Sequence, residues 1–204
     1  MLLTALHILG REPIPGKTKT RLIPLLGEEG ASLAHERLLR HVVRTACIWE
    51  KHSQSNLLRL WATGDSLHPL FRDLVPVRSL RRQPMGHLGK RLEYVLLSGL
   101  EEADAVILLG GDAASVQASD LNWAVRKLRE CPAVMAPAED GGYVFLGVRR
   151  YDPLLFKNIP WGTPRVAERT REALRALGWE WQELGGHWDV DRPEDWKRFL
   201  VLAS

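Results

Sequence analysis

The feature that most constrains the fold is an apolar run at residues 105–112, with the sequence Ala-Val-Ile-Leu-Leu-Gly-Gly-Asp. The run is too short to cross a membrane and holds no polar residue before its end. It therefore predicts a strand buried on both faces, near the centre of a parallel or mixed sheet. The two glycines end the strand and let the backbone approach a ligand. Open α/β sheets bind ligands at the carboxyl ends of their strands, so Asp112 is a candidate binding residue.

Length and composition narrow the class of protein. With 204 residues, of which 45% are hydrophobic, the chain is predicted to form one domain, 1–204. A net charge of +3 suits anionic substrates such as phosphates but is too dispersed to predict nucleic-acid binding. Cys47 and Cys131 predict buried thiols, which fits a cytoplasmic protein. Residues 1–9 lack a basic lead and the length of a span, so they predict a first strand and no membrane span.

A basic loop follows this first strand. Residues 10–16 contain two prolines and two glycines, which predicts a loop. Lys17, Lys19 and Arg21 then alternate with hydroxyl residues, so in an extended segment they would share a face and could bind one polyanion. The alternative is a solvated basic loop, which is the commoner fate of a charge run. The position after the first strand of an α/β sheet favours phosphate binding.

The rest of the chain alternates between strand and helix patterns. Strands are expected at 56–63, 133–137, 143–148 and 179–184, with a brief edge strand at 75–80. Helices are expected at 28–51, 67–74 (or a turn), from the segment 83–92 to about 103, at 119–130 with Ser119 as N-cap, at 165–177, and from Pro193. This alternation predicts a mostly parallel α/β sandwich with short antiparallel additions.

Two further segments carry acidic residues. The turn at 138–142 could close a hairpin or bracket a substrate, and a simple turn explains it equally well. Near the C-terminus, Asp189 and Asp191 share a face of a short extended segment just before a helix. These two carboxylates would repel each other unless a cation or hydrogen-bond donors lay between them.

Five separated segments together resemble the DUF2064 family, which includes proteins labelled as glycosyltransferases linked to radical-SAM clusters. The segments are 12–22, Gln83 with 86–91, 109–112, 137–143 and 188–195, and they occur in the family's order over nearly the whole chain. That family is part of the GT-A, or nucleotide-diphospho-sugar transferase, superfamily. The resemblance implies a GT-A-like (Rossmann-like) three-layer α/β/α sandwich with a mostly parallel mixed sheet.

The resemblance also implies roles for individual residues. The loop from Gly16 would wrap the nucleotide phosphates, with Lys19 and Arg21 in direct contact. Asp112 and Asp191 would bind Mg²⁺ or Mn²⁺, with Asp189 as a third ligand, because hard oxygen ligands suit these ions and make zinc an unsuitable choice. The residues expected to contact nucleotide or acceptor are Gly16, Lys17, Lys19, Arg21, Gln83, Arg91, Gly141, Gly142 and Thr163.

Four positions depart from the family pattern. Ala113 and Ala114 replace the usual Cys-Pro after the strand-end aspartate, His87 replaces an acidic residue, and Arg192 replaces a threonine. These departures leave room for a changed substrate or lost activity.

The leading hypothesis is a metal-dependent glycosyltransferase that uses a nucleotide-sugar donor and a small-molecule acceptor. Asp112 would act through the metal and Asp140 would be the general base on the acceptor hydroxyl, although a Gly-Gly turn also explains Asp140 without chemistry. The second hypothesis is a nucleotidyltransferase that uses a nucleoside triphosphate and releases pyrophosphate. The third is a catalytically silent nucleotide-binding protein.

Overall fold

The structure is a computed structural model that describes residues 1–65 and 68–202. The strands are β1 (Thr4–Arg11), β2 (Asn56–Thr63), β3 (Leu80–Arg82), β4 (Ala105–Gly110), β5 (Ala133–Pro137), β6 (Tyr143–Val148) and β7 (Trp181–Glu183). The helices are α1 (Ile23–Lys51), α2 (Pro69–Leu74), α3 (Leu88–Leu100), α4 (Ala118–Leu128), α5 (Val166–Ala176) and α6 (Pro193–Leu202). Short 3₁₀ turns lie at Thr20–Leu22, Val77–Ser79 and Pro153–Leu155.

All seven strands form one mixed sheet in the order β3-β2-β1-β4-β6-β5-β7. The strand that ends before Asp112, β4, is the fourth of the seven and pairs in parallel with β1, which confirms the predicted central strand. One strand, β6, runs antiparallel to both of its neighbours, and the turn before it closes a hairpin with β5. The predicted GT-A-like α/β sandwich is therefore confirmed.

The strands bury side chains on both faces of the sheet. Leu6 and Ile8 of β1 lie in the same core cluster as residues of α1 and α4. Val106 and Leu108 of β4 point to the opposite face and pack with α3 and α5. Because successive side chains of a strand alternate between faces, an uninterrupted apolar strand needs a layer of helices on each side. The sheet and the helix layer on each of its faces are the three layers of the sandwich.

One edge of the sheet collects the loops that carry most predicted site residues. The parallel strands β1 and β4 end at this edge, and β6, which is antiparallel to them, begins there. The loops after β1 and β4 and the turn before β6 are thereby brought together.

The structure corrects several local predictions. The edge strand predicted at 75–80 is wrong, because Val77–Ser79 forms a 3₁₀ turn and pairing starts only at Leu80. The predicted N-cap Ser119 is wrong because Gln117 caps α4, through a reciprocal pair of hydrogen bonds with Asp120.

Two predicted helices have different first residues in the structure. The first long helix begins at Ile23, earlier than expected, and is broken at Gly27, where φ is 71°. Position 67, the expected start of a short helix, lies outside the described residues, and α2 begins at Pro69. In the described part of the chain, no helix is both long and apolar enough to span a membrane.

Candidate active site

A cleft of about 620 Å³ opens at the edge of the sheet where β1 and β4 end. The loop after β1, the end of β4, the start of β6, the 161–163 loop and the 189–191 segment all line it. Ligand sites of open α/β sheets lie at this edge, so the cleft is the candidate active site.

The basic loop reaches into this cleft through one buried lysine. Lys19 has a left-handed backbone, with φ of 47°, and its side chain is only 8% exposed. Its ammonium donates to Oδ2 of Asp112 at 2.5 Å and to the Val190 carbonyl at 2.5 Å. The loop is thereby connected to the end of β4 and to the acidic segment near the C-terminus.

The acidic segment lies beside Asp112 because the two backbones are hydrogen-bonded. The Val190 amide donates to the Asp112 carbonyl at 3.2 Å. Asp191 forms an ion pair with Arg21, in which both side chains are substantially exposed. The structure therefore brings together the three carboxylates predicted as metal ligands and the two cations predicted as direct phosphate contacts.

The carboxylates of the cleft influence each other's ionisation. Burial opposes ionisation of Asp112, but the charge and hydrogen bond of Lys19 outweigh it and lower the pKa of this carboxyl below its ordinary value. Burial raises the pKa of Asp189 to about 7, and the negative charges of Asp112 and Asp140 add to the effect. Negative charge thus remains in excess around Asp189 even with Lys19 present.

This excess of negative charge would favour binding of the predicted metal ion. Within 1–65 and 68–202, no group of three His, Cys, Asp or Glu side chains is arranged as a ready metal site. Asp112 and Asp189 nevertheless supply oxygen donors, and their mutual repulsion would be relieved by a cation. Such a donor set fits a hard divalent ion such as Mg²⁺ or Mn²⁺.

The turn before β6 forms another part of the cleft wall. The Gly142 amide donates to Oδ1 of Asp140 at 2.8 Å, which orients the carboxylate. A Cβ at Gly141 would lie 2.0 Å from the Pro164 carbonyl oxygen, so only glycine permits this close approach. Gly141 therefore shapes the turn without offering a side chain to a ligand.

Two aromatic side chains next to this turn also line the cleft, and each has a polar atom without a hydrogen-bond partner in the part of the chain that the structure describes. Among the described residues, neither the buried hydroxyl of Tyr143 nor the indole Nε1 of Trp161 has a hydrogen-bond partner. The two rings meet edge to face with centroids 6.4 Å apart. Burial raises the pKa of the Tyr143 hydroxyl, which keeps it protonated and able to donate. Both polar atoms are buried and the Trp161 nitrogen lies against Gly89, so the rings, and not these donors, form the cleft surface.

Several other predicted contacts line the cleft but also hold the protein together. The side-chain amide of Gln83 donates to the carbonyls of Gly10 and Trp61, and Nε of Arg91 donates to the Gly86 carbonyl at 2.7 Å. The Thr163 hydroxyl donates to the Pro160 carbonyl at 2.8 Å.

The remaining residues predicted in the basic loop differ in exposure and backbone geometry. Lys17 is exposed at the cleft rim, and Gly16 has a positive φ of 74° beside Glu28.

The positions that depart from the family pattern do not present side chains to the cleft. Ala113 and Ala114 are both 1% exposed and belong to core clusters. His87 is the N-cap of α3, where it accepts from the Lys90 amide at 3.4 Å. The Arg192 amide donates to Asp195 at 2.7 Å at the start of α6. The departures therefore alter the support of the cleft more than its surface.

The basic and the acidic residues that line the cleft come from different parts of the sequence. Every lysine or arginine on its described surface comes from the first 91 residues, namely Arg11, Lys17, Lys19, Arg21 and Arg91. The lining residues from 108 onward carry carboxylates and aromatic rings but no lysine or arginine. Lys19 and Arg21 nevertheless pair with Asp112 and Asp191, so the basic set from the first 91 residues and the acidic, aromatic set from 108 onward meet inside the cleft.

Residues of this surface that sequence reasoning missed include Arg11, His35 and Tyr143. His35 of α1 lines the cleft, its Nε2 lies 2.8 Å from the Arg11 carbonyl, and burial lowers its pKa. Its spacing from Leu38 and Val42 on the buried helical face was the available signal. Tyr143, the first residue after the Gly-Gly turn, had no signal beyond that position.

Comparison with solved structures agrees with this architecture. A protein from Desulfovibrio desulfuricans G20, designated a "putative nucleotide-diphospho-sugar transferase", is 26% identical and superposes with a TM-score of 0.83 over 94% of this chain and 84% of its own. CMP:2-keto-3-deoxy-manno-octonic acid synthetase, complexed with CTP, is 16% identical with a TM-score of 0.58 over 98% of each chain. Rv0371C from Mycobacterium tuberculosis H37Rv, complexed with manganese, is 15% identical with a TM-score of 0.54 over 98% and 99%.

These likenesses define the class of protein, which is the GT-A-like class of α/β proteins. Residues 50–163 match the family described as "Uncharacterized protein conserved in bacteria (DUF2064)", and the chain belongs to that family. No curated protein is significantly similar to the chain in sequence.

Proposed function

We propose that the protein is a metal-dependent glycosyltransferase that takes a nucleotide sugar as donor and a neutral, hydroxyl-bearing small molecule as acceptor. The observation that carries this proposal is that one cleft is lined both by a basic set of residues and by an acidic, aromatic set. A nucleotide sugar offers a partner to each set, since its diphosphate is anionic and its sugar is neutral.

From the basic set, Lys17, Lys19 and Arg21 would bind the diphosphate through charge-assisted hydrogen bonds. Asp112, with Asp189 and Asp191, would hold Mg²⁺ or Mn²⁺. When bound, the metal neutralises negative charge on the phosphate oxygens of the leaving group. The manganese complex of Rv0371C, a protein of the same fold, supports this choice of ion.

From the acidic, aromatic set, the rings of Tyr143 and Trp161 would contact the apolar face of a sugar. Asp140 would take the proton from the acceptor hydroxyl as this oxygen attacks the anomeric carbon. The hydrogen bond from Gly142 fixes one carboxylate oxygen and leaves the other for this role.

A nucleotidyltransferase is the second candidate, favoured by the fold shared with the CTP-bound synthetase. Such an enzyme joins a nucleoside triphosphate to a second substrate, commonly a sugar phosphate or an acid. A neutral acceptor would lie beside Asp140 and Asp189 without the repulsion from these carboxylates that an anionic second substrate would meet. This charge pattern favours sugar transfer.

The products of the reaction distinguish the two candidates. The protein is incubated with Mn²⁺ and either nucleotide sugars or nucleoside triphosphates with sugar phosphates. We expect release of a nucleoside diphosphate from one nucleotide sugar and no pyrophosphate from the triphosphates. Pyrophosphate release that depends on a sugar phosphate would overturn the proposal in favour of nucleotidyl transfer.

A further inference from the structure

The two cations and two of the carboxylates in the cleft are already paired with each other. Lys19 contacts Asp112, and Arg21 contacts Asp191. In both pairs a predicted phosphate ligand from the basic loop holds a predicted metal ligand. The first pair is the more shielded from water, with the lysine 8% and the aspartate 35% exposed.

The shielded pair conflicts with metal binding in the same arrangement. The Lys19 ammonium lies 2.5 Å from Oδ2 of Asp112, which is close to the distance at which that oxygen would hold a divalent cation. A divalent ion bound to this oxygen would lie close to the ammonium, and its repulsion would offset the attraction that holds Lys19 to Asp112. Lys19 therefore competes with a metal for this oxygen.

We propose that Lys19 is a placeholder cation that occupies the metal's position until nucleotide phosphates arrive. The phosphates then take the ammonium, and the freed Asp112 oxygen takes the divalent ion. Each negative group keeps one positive partner throughout, so no unpaired charge is left buried during the exchange. This inference rests on the proposed function only in requiring a metal–nucleotide complex.

The exchange makes the two ligands cooperative. Metal alone must displace Lys19 from both Asp112 and the Val190 carbonyl, with no new acceptor for the ammonium. Nucleotide supplies that acceptor, so it strengthens metal binding, and by linkage the metal strengthens nucleotide binding by the same factor.

Binding of Mn²⁺ without nucleotide tests the proposal. The free ion is measured by electron paramagnetic resonance near neutral pH for the wild type, Lys19→Met and Lys157→Met. We expect Lys19→Met to bind Mn²⁺ at least about tenfold more tightly than the wild type, because Asp112 loses its competing cation. Lys157→Met removes the same charge from an exposed position that does not line the cleft, and it should bind Mn²⁺ as the wild type does.

A double variant locates the gain. Adding Asp112→Asn to Lys19→Met should abolish the tighter Mn²⁺ binding. The proposal is overturned if Lys19→Met binds no more tightly than Lys157→Met, or if the gain survives in the double variant. Circular dichroism checks the fold, and Lys19→Gln, whose amide can still donate to the Val190 carbonyl, replaces Lys19→Met if the latter does not fold. These titrations contain no nucleotide or acceptor, so their outcome is separate from the test of sugar transfer.

Discussion

The indole Nε1 of Trp161 lies directly against Gly89, so that a Cβ at that position would come within 2.3 Å of the nitrogen. Gly89 is in the first turn of α3, and Trp161 belongs to the 161–163 loop that lines the cleft. The position of the Trp161 ring therefore depends on the absence of a side chain at position 89.

Gly89→Ala should displace Trp161 and lower kcat/KM for the sugar substrate. Overpacking of this kind costs about 1–3 kcal/mol, partly offset by the better helix propensity of alanine. Thermal unfolding and steady-state kinetics measure the two effects. Gly185→Ala is the control, since a Cβ there meets no atom within 4 Å. Unchanged kinetics in Gly89→Ala would show that the position of Trp161 does not matter for the substrate.

Asp140→Asn should lower kcat by about 10²- to 10⁴-fold, which is the usual contribution of a general base. Asparagine can still accept the hydrogen bond from the Gly142 amide, so the turn and the unfolding temperature should be preserved. The kinetics are measured at saturating nucleotide sugar.

Asp152→Asn is the matched control for this variant. Asp152 accepts from the Leu154 amide at 2.9 Å in a similar turn but does not line the cleft. If Asp140→Asn retains as much activity as Asp152→Asn, Asp140 is only a turn residue.

Glu102→Gln should destabilise the protein at neutral pH and have little effect in acid. Contact with buried His7, and the hydrogen bond and charge of Arg59, lower the pKa of Glu102 from 4.5 to about 2. The folded pKa is the lower one, so the stabilisation is fully present above the unfolded pKa and is lost as pH falls from 4.5 to about 2.

With this side chain 30% exposed, we expect a loss of about 1–2 kcal/mol in the free energy of unfolding. Urea unfolding at about pH 7 and about pH 3 measures it, with the exposed neighbour Glu101→Gln as control. An equal loss at both pH values would show that the ionised carboxylate of Glu102 is not what stabilises the fold.

The sequence predicted the sheet well because its signals are local. The apolar run 105–112 specifies a doubly buried strand on its own, and the Gly-Gly turn before β6 marks a hairpin. The prediction at 75–80 was wrong because a hydrophobic, proline-containing segment suits an edge strand and a 3₁₀ turn equally. Ser119 was mistaken for the N-cap because Gln117 is a weaker cap by propensity and acts only together with Asp120.

The candidate site was predicted as a set of residues but not as a set of contacts. Lys19 and Asp112 are 93 positions apart, and Lys19 has a left-handed backbone. No local sequence pattern predicts this conformation at a lysine. The roles of Gln83 and Thr163 in holding neighbouring backbone carbonyls were likewise hidden, because an amide or hydroxyl at a cleft can bind either ligand or protein.

The most direct test of the account is the thermal unfolding midpoint of the wild type and Asp112→Asn with a panel of nucleoside diphosphates, with and without Mn²⁺. A ligand that binds only the native state stabilises it in proportion to the logarithm of its concentration over its dissociation constant, and so raises this midpoint. We predict that at least one nucleoside diphosphate raises the midpoint of the wild type when Mn²⁺ is present, and that Asp112→Asn shows no such rise. A rise that is independent of Mn²⁺ and retained in Asp112→Asn, or no rise with any nucleotide, would contradict a metal–nucleotide site at the end of β4.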